Sequence, residues 1–283
     1  MLISSDIMNR FELHCHSCYS KGKKIPWEGI PSPKETIRHA KNAGLSGIAI
    51  TDHNSSGGWK EAAAEAKRLG IVFIPGIEID SASGHIIGLG VNEKVERDLS
   101  ADETIEKIRQ QGGIAIAPHP FDGEGYGIRH EFTKTDAVEV FNSFDVDRIG
   151  NFITARKAGK LGLRVVVGSD AHTLEMIGNS VIKADADDMD SVLKNIKNGS
   201  VMLEKRYIET WKIIRWLQER MGRSRNDLMG YIEKNYSGPK AAVSKFLVRE
   251  FLKNPESVSW RCLAALGINI YFMKSIITPS TYL

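Results

Sequence analysis

With 283 residues, 42% hydrophobic and 26% charged, the chain has the composition of a folded protein with room for one large domain and a small second one. That balance excludes extended disorder. No apolar run reaches the roughly 18 residues of a bilayer span, and the opening MLISSDIMNR has neither the charged start nor the apolar core of a secretory leader. Three cysteines do not make a disulfide framework. A reducing, cytoplasmic setting without a membrane partner is therefore expected. The net charge of +3 hides an asymmetry: residues 205–283 carry 14 Lys/Arg against 6 Asp/Glu, and residues 1–204 carry 24 against 29. The basic end can attract nucleotides, nucleic acid or an acidic partner, or be no more than a solvated helical face.

Taken in order, the strand-like runs are 10–17, 47–53, 71–79, 84–91, 113–120, 137–143 and 164–172, and helical patterns fill 32–44, 57–70, 100–113 and 145–159. Ser32 with Glu35 forms a capping box, and Gly44 closes that helix. Strands alternating with helices predict a parallel sheet covered by helices, either open or closed into a barrel. The polar residues favour the barrel. His14, His16, Asp52, His53, Glu78, His119, Asp170 and His172 all fall at C-terminal strand ends, the rim on which barrel enzymes assemble their sites. After Glu204 the pattern is helical only, including YIETWKIIRWLQERMG and GPKAAVSKFLVREFLKNP. The expected organisation is a barrel over 1–204 and a basic helical extension over 205–283. Trp211 and Trp216 in the extension are expected in its core, with substrate stacking as the other reading.

His14 and His16 are two apart on a strand, so the pleat puts both on one face and Cys15 on the other. Cys15 and Cys18 also have C-x-x-C spacing, but no second pair follows to complete a zinc ribbon. Of eight histidines, six (His14, His16, His53, His85, His119, His172) lie at strand ends, accompanied by Asp52, Glu78 and Asp170. Such nitrogen and oxygen donors without thiolates suit manganese, zinc or iron, and a bridging carboxylate can hold two ions about 3.5–4 Å apart.

Five ordered motifs, LHCHS, GIAITDHN, IPGIEI with GHIIGLG, APHP and GSDAH, resemble those of the PHP (polymerase and histidinol phosphatase) phosphoesterases over roughly residues 1–200. The resemblance implies a distorted seven-stranded (β/α)7 TIM-like barrel with two or three divalent ions acting on phosphate esters. Position by position it gives His14, His16, Glu78 and Asp170 to one ion, Glu78, His85 and His119 to a second, and His53 and His172 to a third. Asp52 would orient a ligand.

Relatives with a third ion usually carry an acid in an S-D-G segment, where this chain has Ser20-Lys21-Gly22. Either the Lys21 ammonium replaces that ion's charge and draws in the substrate phosphate, or it is a solvated lysine of the basic loop SKGKK. Arg129, in DGEGYGIRHEF, is a second candidate to meet the phosphoryl oxygens. Hydrolysis by a metal-activated hydroxide is expected, with His53 or His172 protonating the leaving oxygen if not metal-bound. Nucleotides or short oligonucleotides are the expected substrates, ahead of a histidinol-phosphate type. A metal-dependent amidohydrolase or a catalytically silent module are the readings from other classes.

Overall fold

Short β-branched runs bounded by glycine and polar turns become strands, and amphipathic stretches between them become helices. The computed structural model describes residues 8–22, 25–146 and 148–277, so residues 1–7 of the opening segment and Lys23 and Lys24 of the basic loop lie outside it. Seven strands form the barrel: β1 (Asn9–Glu12), β2 (Gly47–Ile50), β3 (Val72–Ser81), β4 (Gly84–Leu89), β5 (Ile114–Ala117), β6 (Ala137–Asn142) and β7 (Val165–Gly168). They are hydrogen-bonded in chain order. Beyond the ends of β1 and β7 the chain pairs again, as a parallel bridge between Cys15 and Ala171 in which the His16 amide donates to the Ala171 carbonyl at 2.8 Å. That pairing brings the first and last barrel strands together.

Buried Glu12 staples the same seam. Its carboxylate accepts from the Ser169 hydroxyl and amide and from the amides of His14 and Gly178. Burial pushes its carboxyl up to about 7 against the pull of those donors.

The strands are not all parallel. β4 runs antiparallel to both β3 and β5, because only Ala82 and Ser83 separate β3 from β4 and so short a link makes a hairpin, not a crossover. Reversal puts His85, at the start of β4, opposite Asp80 on β3 and so on the rim used by the other strands' C-terminal ends. β8 (Val181–Ala184) and β9 (Met202–Glu204) add antiparallel to the outer edge of β1, with helix α5 (Met189–Asn198) between them. These three elements were not expected, although Asp188 caps α5 and Gly199, with φ 73°, ends it.

Helices α1 (Pro33–Asn42), α2 (Trp59–Leu69), α3 (Ala101–Gln110) and α4 (Ile149–Leu161) occupy the expected segments. The capping box of Ser32 and Glu35 is present. In β2, Ile48 and Ile50 pack with Ile37 and Ala40 of α1 and Ala62 and Ala66 of α2, while Ala49 joins the other core cluster. Each such isoleucine is worth roughly 1.5–3 kcal/mol over an exposed one. After β9, the described chain is helical: α6 (Thr210–Arg223), α7 (Arg225–Asn235), α8 (Gly238–Lys253) and α9 (Val258–Ile277). Among the described residues no helix is long and apolar enough to cross a membrane.

Candidate metal centre

All seven barrel strands deliver polar side chains to one rim. His14 and His16 follow β1, Asp52 and His53 follow β2, Glu78 lies within β3, His85 opens β4, His119 follows β5, Asn142 ends β6, and Asp170 and His172 follow β7. A cavity of about 510 Å³ has His53, Glu78, His85, His119, Asp170 and His172 in its wall, with His14 and His16 buried beneath. Cys15 points the other way, as the pleat requires, with its thiol on the Ala49 carbonyl. Glu78 is the hub: Oε2 stands 3.3 Å from both His14 Nε2 and His16 Nε2 and 3.4 Å from His53 Nδ1, and Oε1 stands 2.9 Å from His85 Nδ1 and 3.2 Å from His119 Nε2. Asp170 Oδ1 lies 3.1 Å from His16 Nε2 and 3.5 Å from His14 Nε2.

Outer contacts fix which nitrogen faces inward. Glu139 Oε1 accepts from His14 Nδ1 at 3.0 Å, and the Asp170 carbonyl accepts from His172 Nδ1 at 2.9 Å. Those acceptors place the imidazole protons on Nδ1 and leave each Nε2 with a lone pair. His14 Nε2 therefore meets the oxygens of Glu78 and Asp170 as acceptor against acceptor, an arrangement that needs a cation or an extra proton. Four further buried nitrogens, His16 Nε2, His53 Nδ1, His85 Nδ1 and His119 Nδ1, have no hydrogen-bond partner. Donor atoms of His14, His16 and Glu78 lie within 4.8 Å of one another, as do those of His14, His119 and Asp170, of His16, Asp170 and His172, and of His53, Glu78 and His85. The residues thus fit divalent metal ions: convergent imidazole and carboxylate donors, lone pairs aimed inward, no thiolate.

The electrostatics agree. Burial works against ionisation of Glu78 and Asp170, yet the surrounding histidines hold both carboxyls well below the usual range. Burial likewise opposes a charged His14, but Asp170, Glu139 and Glu78 raise it well above an ordinary imidazole. His172, desolvated and beside His16, falls to about 4. Backbone strain accompanies the site: His119 and Asp170 have φ of 27° and 51°. Both are restrained, His119 through its amide on Glu139 and Asp170 through the Asn142 side chain.

A family model described as PHP-associated matches residues 148–201. The chain is 41% identical over 156 residues to an uncharacterised protein of Methanocaldococcus jannaschii, covering 53% of this chain and 91% of that one. It is 36% identical over 115 residues to a 3′,5′-nucleoside bisphosphate phosphatase of Chromobacterium violaceum, covering 37% of this chain and 38% of that enzyme. A two-domain protein of Bacteroides vulgatus, described as containing a predicted PHP-like metal-dependent phosphoesterase, has the same fold, with a TM-score of 0.60 at 16% identity over 76% of this chain and 70% of that one. The chain thus carries a PHP-associated segment on a fold that it shares with a PHP-like protein. Its distorted barrel is the fold of that PHP-like neighbour.

Within this framework, the expected residues divide by where they fall. His14, His16, His53, Glu78, His85, His119, Asp170 and His172 converge. His53 and His172 stack on His16 at ring separations of 4.8 and 4.6 Å, each grouped with a different carboxylate. Asp52 lies outside the cavity wall; its carboxylate accepts from the Ser17 amide and hydroxyl, both at 2.6 Å, and so anchors the loop that carries His16. Lys21 lines the cavity mouth with its ammonium 3.9 Å from the centre of the Trp27 ring. Arg129 starts a 3-10 turn (Arg129–Lys134) and is not in the cavity wall, which that loop supplies through Asp122, Gly123, Glu124 and Tyr126 instead.

The arginine in the wall is Arg220 of α6, which sequence reasoning did not single out. Trp216, one turn earlier, is 6% exposed and packs between Phe144 and His172 while lining the cavity. Trp211 is 49% exposed and takes no part in the site. Glu139, Asn142, Asp80, Asp122 and Glu28 were also missed. For Glu139 a signal existed, a carboxylate inside the apolar strand AVEVF, where a buried charge requires partners.

Proposed function

We propose that this protein is a metal-dependent phosphoesterase that hydrolyses phosphate esters of nucleotides or short oligonucleotides. One observation carries the reading: imidazoles and carboxylates from the barrel strands meet around Glu78, with the His14 Nε2 lone pair facing oxygens of Glu78 and Asp170 at 3.3 and 3.5 Å. His14, His16, Glu78 and Asp170 would hold one ion and Glu78, His85 and His119 a second, with His53 and His172 available to a third. Manganese, zinc or iron suit these donors. Bound divalent ions would supply an acidified water and positive charge for the phosphoryl oxygens.

The protein's own groups prepare that chemistry. Glu139 orients His14, and the Asn142 amide, shared between Glu139 and Asp170, ties the outer carboxylate to the inner one. His172 keeps its Nδ1 proton on the Asp170 carbonyl and offers Nε2 toward the cavity for proton transfer. An amidohydrolase with a strand-borne lysine bridge is disfavoured, because Glu78 occupies the hub and Lys21 stands at the mouth. The free cysteines Cys15, Cys18 and Cys262 are compatible with a cytoplasmic setting.

The test is phosphate release by manganese-loaded protein from nucleoside monophosphates, nucleoside bisphosphates, short RNA and histidinol phosphate, beside His14→Ala. Release from a nucleotide or RNA that the variant loses is expected. No release from any of them by protein with bound metal would overturn the reading.

A further inference from the structure

The helices after β9 are part of the cavity. α6 contributes Trp216, Leu217 and Arg220 to its wall, and α9 contributes Tyr271. Arg220 is held there by specific fits to the barrel's first loop. Gly22 makes room for it: a Cβ on Gly22 would lie 2.3 Å from Arg220 Nη2. The same nitrogen donates to the Ile25 carbonyl at 3.0 Å, and the guanidinium lies 5.0 Å from the centre of the Trp216 ring. Just past α6, the Ser224 hydroxyl accepts from the Trp27 amide, and, one turn before Arg220, Trp216 Nε1 donates to the Glu28 carbonyl at 2.7 Å. The planar group is thus pre-positioned at little further entropic cost.

Arg220 is also under-used. Its side chain is 14% exposed, its Nε is buried without a hydrogen-bond partner, and its carboxylate contact is a long 3.4 Å to Glu28 Oε1. The rest of the wall outside the metal-ligand set is acidic, with Glu28, Asp80, Asp122, Glu124 and Asp145 against the cations Lys21 and Arg220. Glu28 fixes where Arg220 acts. Its other oxygen faces His53 Nε2 at 3.7 Å, so Glu28 bridges the guanidinium and the His53 side of the candidate metal centre.

Resting on the phosphoesterase reading, we propose that Arg220 binds a second anionic group of the substrate, distinct from the phosphate ester being cleaved, so that the helical extension selects esters carrying two negative groups. A bidentate oxyanion would take up the unpartnered Nε together with an Nη, displacing the weak contact to Glu28. A cavity of about 510 Å³ is the size that encloses a nucleotide-sized ligand.

Calorimetric titration of manganese-loaded protein with adenosine 3′,5′-bisphosphate and with inorganic phosphate tests this. Arg220→Gln should weaken bisphosphate binding roughly 10–100-fold and leave inorganic phosphate within about twofold, since that ion needs only the metal centre. Arg220→Lys, which keeps the charge but loses the fork, should fall between. It carries the test if the glutamine variant fails to fold. Equal losses for both ligands, no loss for either, or no bisphosphate binding to the unaltered protein would overturn the assignment. The expected binding pattern without phosphate release from any ester would overturn the phosphoesterase reading and leave Arg220 as an anion site.

Discussion

Glu139 Oε1 stands 3.0 Å from His14 Nδ1, while its Oε2 accepts from the His119 amide and the Asn142 side chain, each at 3.0 Å. One carboxylate outside the proposed ligand set thus orients two of its members, His14 and His119, and reaches a third, Asp170, through Asn142. Glu139→Ala should lower metal affinity about 10–100-fold, the usual consequence of losing such a partner, with the secondary structure intact. Competition of the purified protein with a chromophoric chelator reads the affinity. An unchanged value would mean that packing alone holds His14.

Gly168 permits that contact. A Cβ there would lie 2.2 Å from Glu139 Oε1 and 2.6 Å from His14 Cβ. Gly168→Ala should cost about 1–3 kcal/mol as an overpacking change and weaken metal binding as well. Urea denaturation with and without metal separates the two effects. A variant as stable as the parent would show that β6 and β7 can move apart at no cost.

Asp52 holds Ser17 through two hydrogen bonds, and two substitutions distinguish those contacts. Asp52→Ala leaves the Ser17 amide without its acceptor, at a cost of about 1–3 kcal/mol. Asp52→Asn keeps one carbonyl oxygen for the amide, and the Ser17 hydroxyl can turn from donor to acceptor, so its cost should be smaller. Equal denaturation midpoints for the two variants would assign the role to charge instead.

On the outer face, Arg68 and Arg38 hold the carboxyl of Glu65 down at about 2 from an ordinary value near 4.5. A folded-state pKa below the unfolded one means stability fully present above about pH 4.5 and lost as pH falls through about 2. Glu65→Gln should therefore flatten the acid limb of a denaturation-midpoint profile in that window. A limb as steep as the parent's would sink the assignment.

Metal removal should destabilise the fold as well as silence it, because the donor set exists only in the native state. Ligand at 100 times its dissociation constant contributes about 2.7 kcal/mol. Adding chelator should lower the thermal midpoint of the parent and leave a His14→Ala, Glu78→Ala double variant unmoved. Identical shifts in both would point to metal bound elsewhere.

The seven strands, the four barrel helices and the convergent histidines were legible because each leaves a local trace: alternation, a capping box, a histidine just past an apolar run. β4's direction depended on counting the two residues between Ser81 and Gly84; β8 and β9 are short, but α5, with Asp188 at one end and Gly199 at the other, left the same kind of trace as α1 and was passed over. Asp52 was legible as a conspicuous acid, but whether it faces Ser17 or the cavity is a matter of loop packing. Arg129 and Arg220 show the limit most plainly. Nothing near either residue tells which arginine reaches the rim; that is decided by α6 docking against Gly22 and Ile25, hundreds of ångströms of contour away in the unfolded chain.

The bridge between Cys15 and Ala171 also bears on how the molecule comes into being. His14 and His16 emerge before the rest of the cluster, but Asp170 and His172 arrive only with the last barrel strand. Closing so long a loop is the entropically expensive step, and it delays contacts of high sequence separation. A nascent chain can gather Glu78, His85 and His119 early, yet it cannot finish the ligand shell until the ring of strands shuts. The complete donor set is then a signature of barrel closure: a chain stalled before β7 has part of that set and none of the closed cavity.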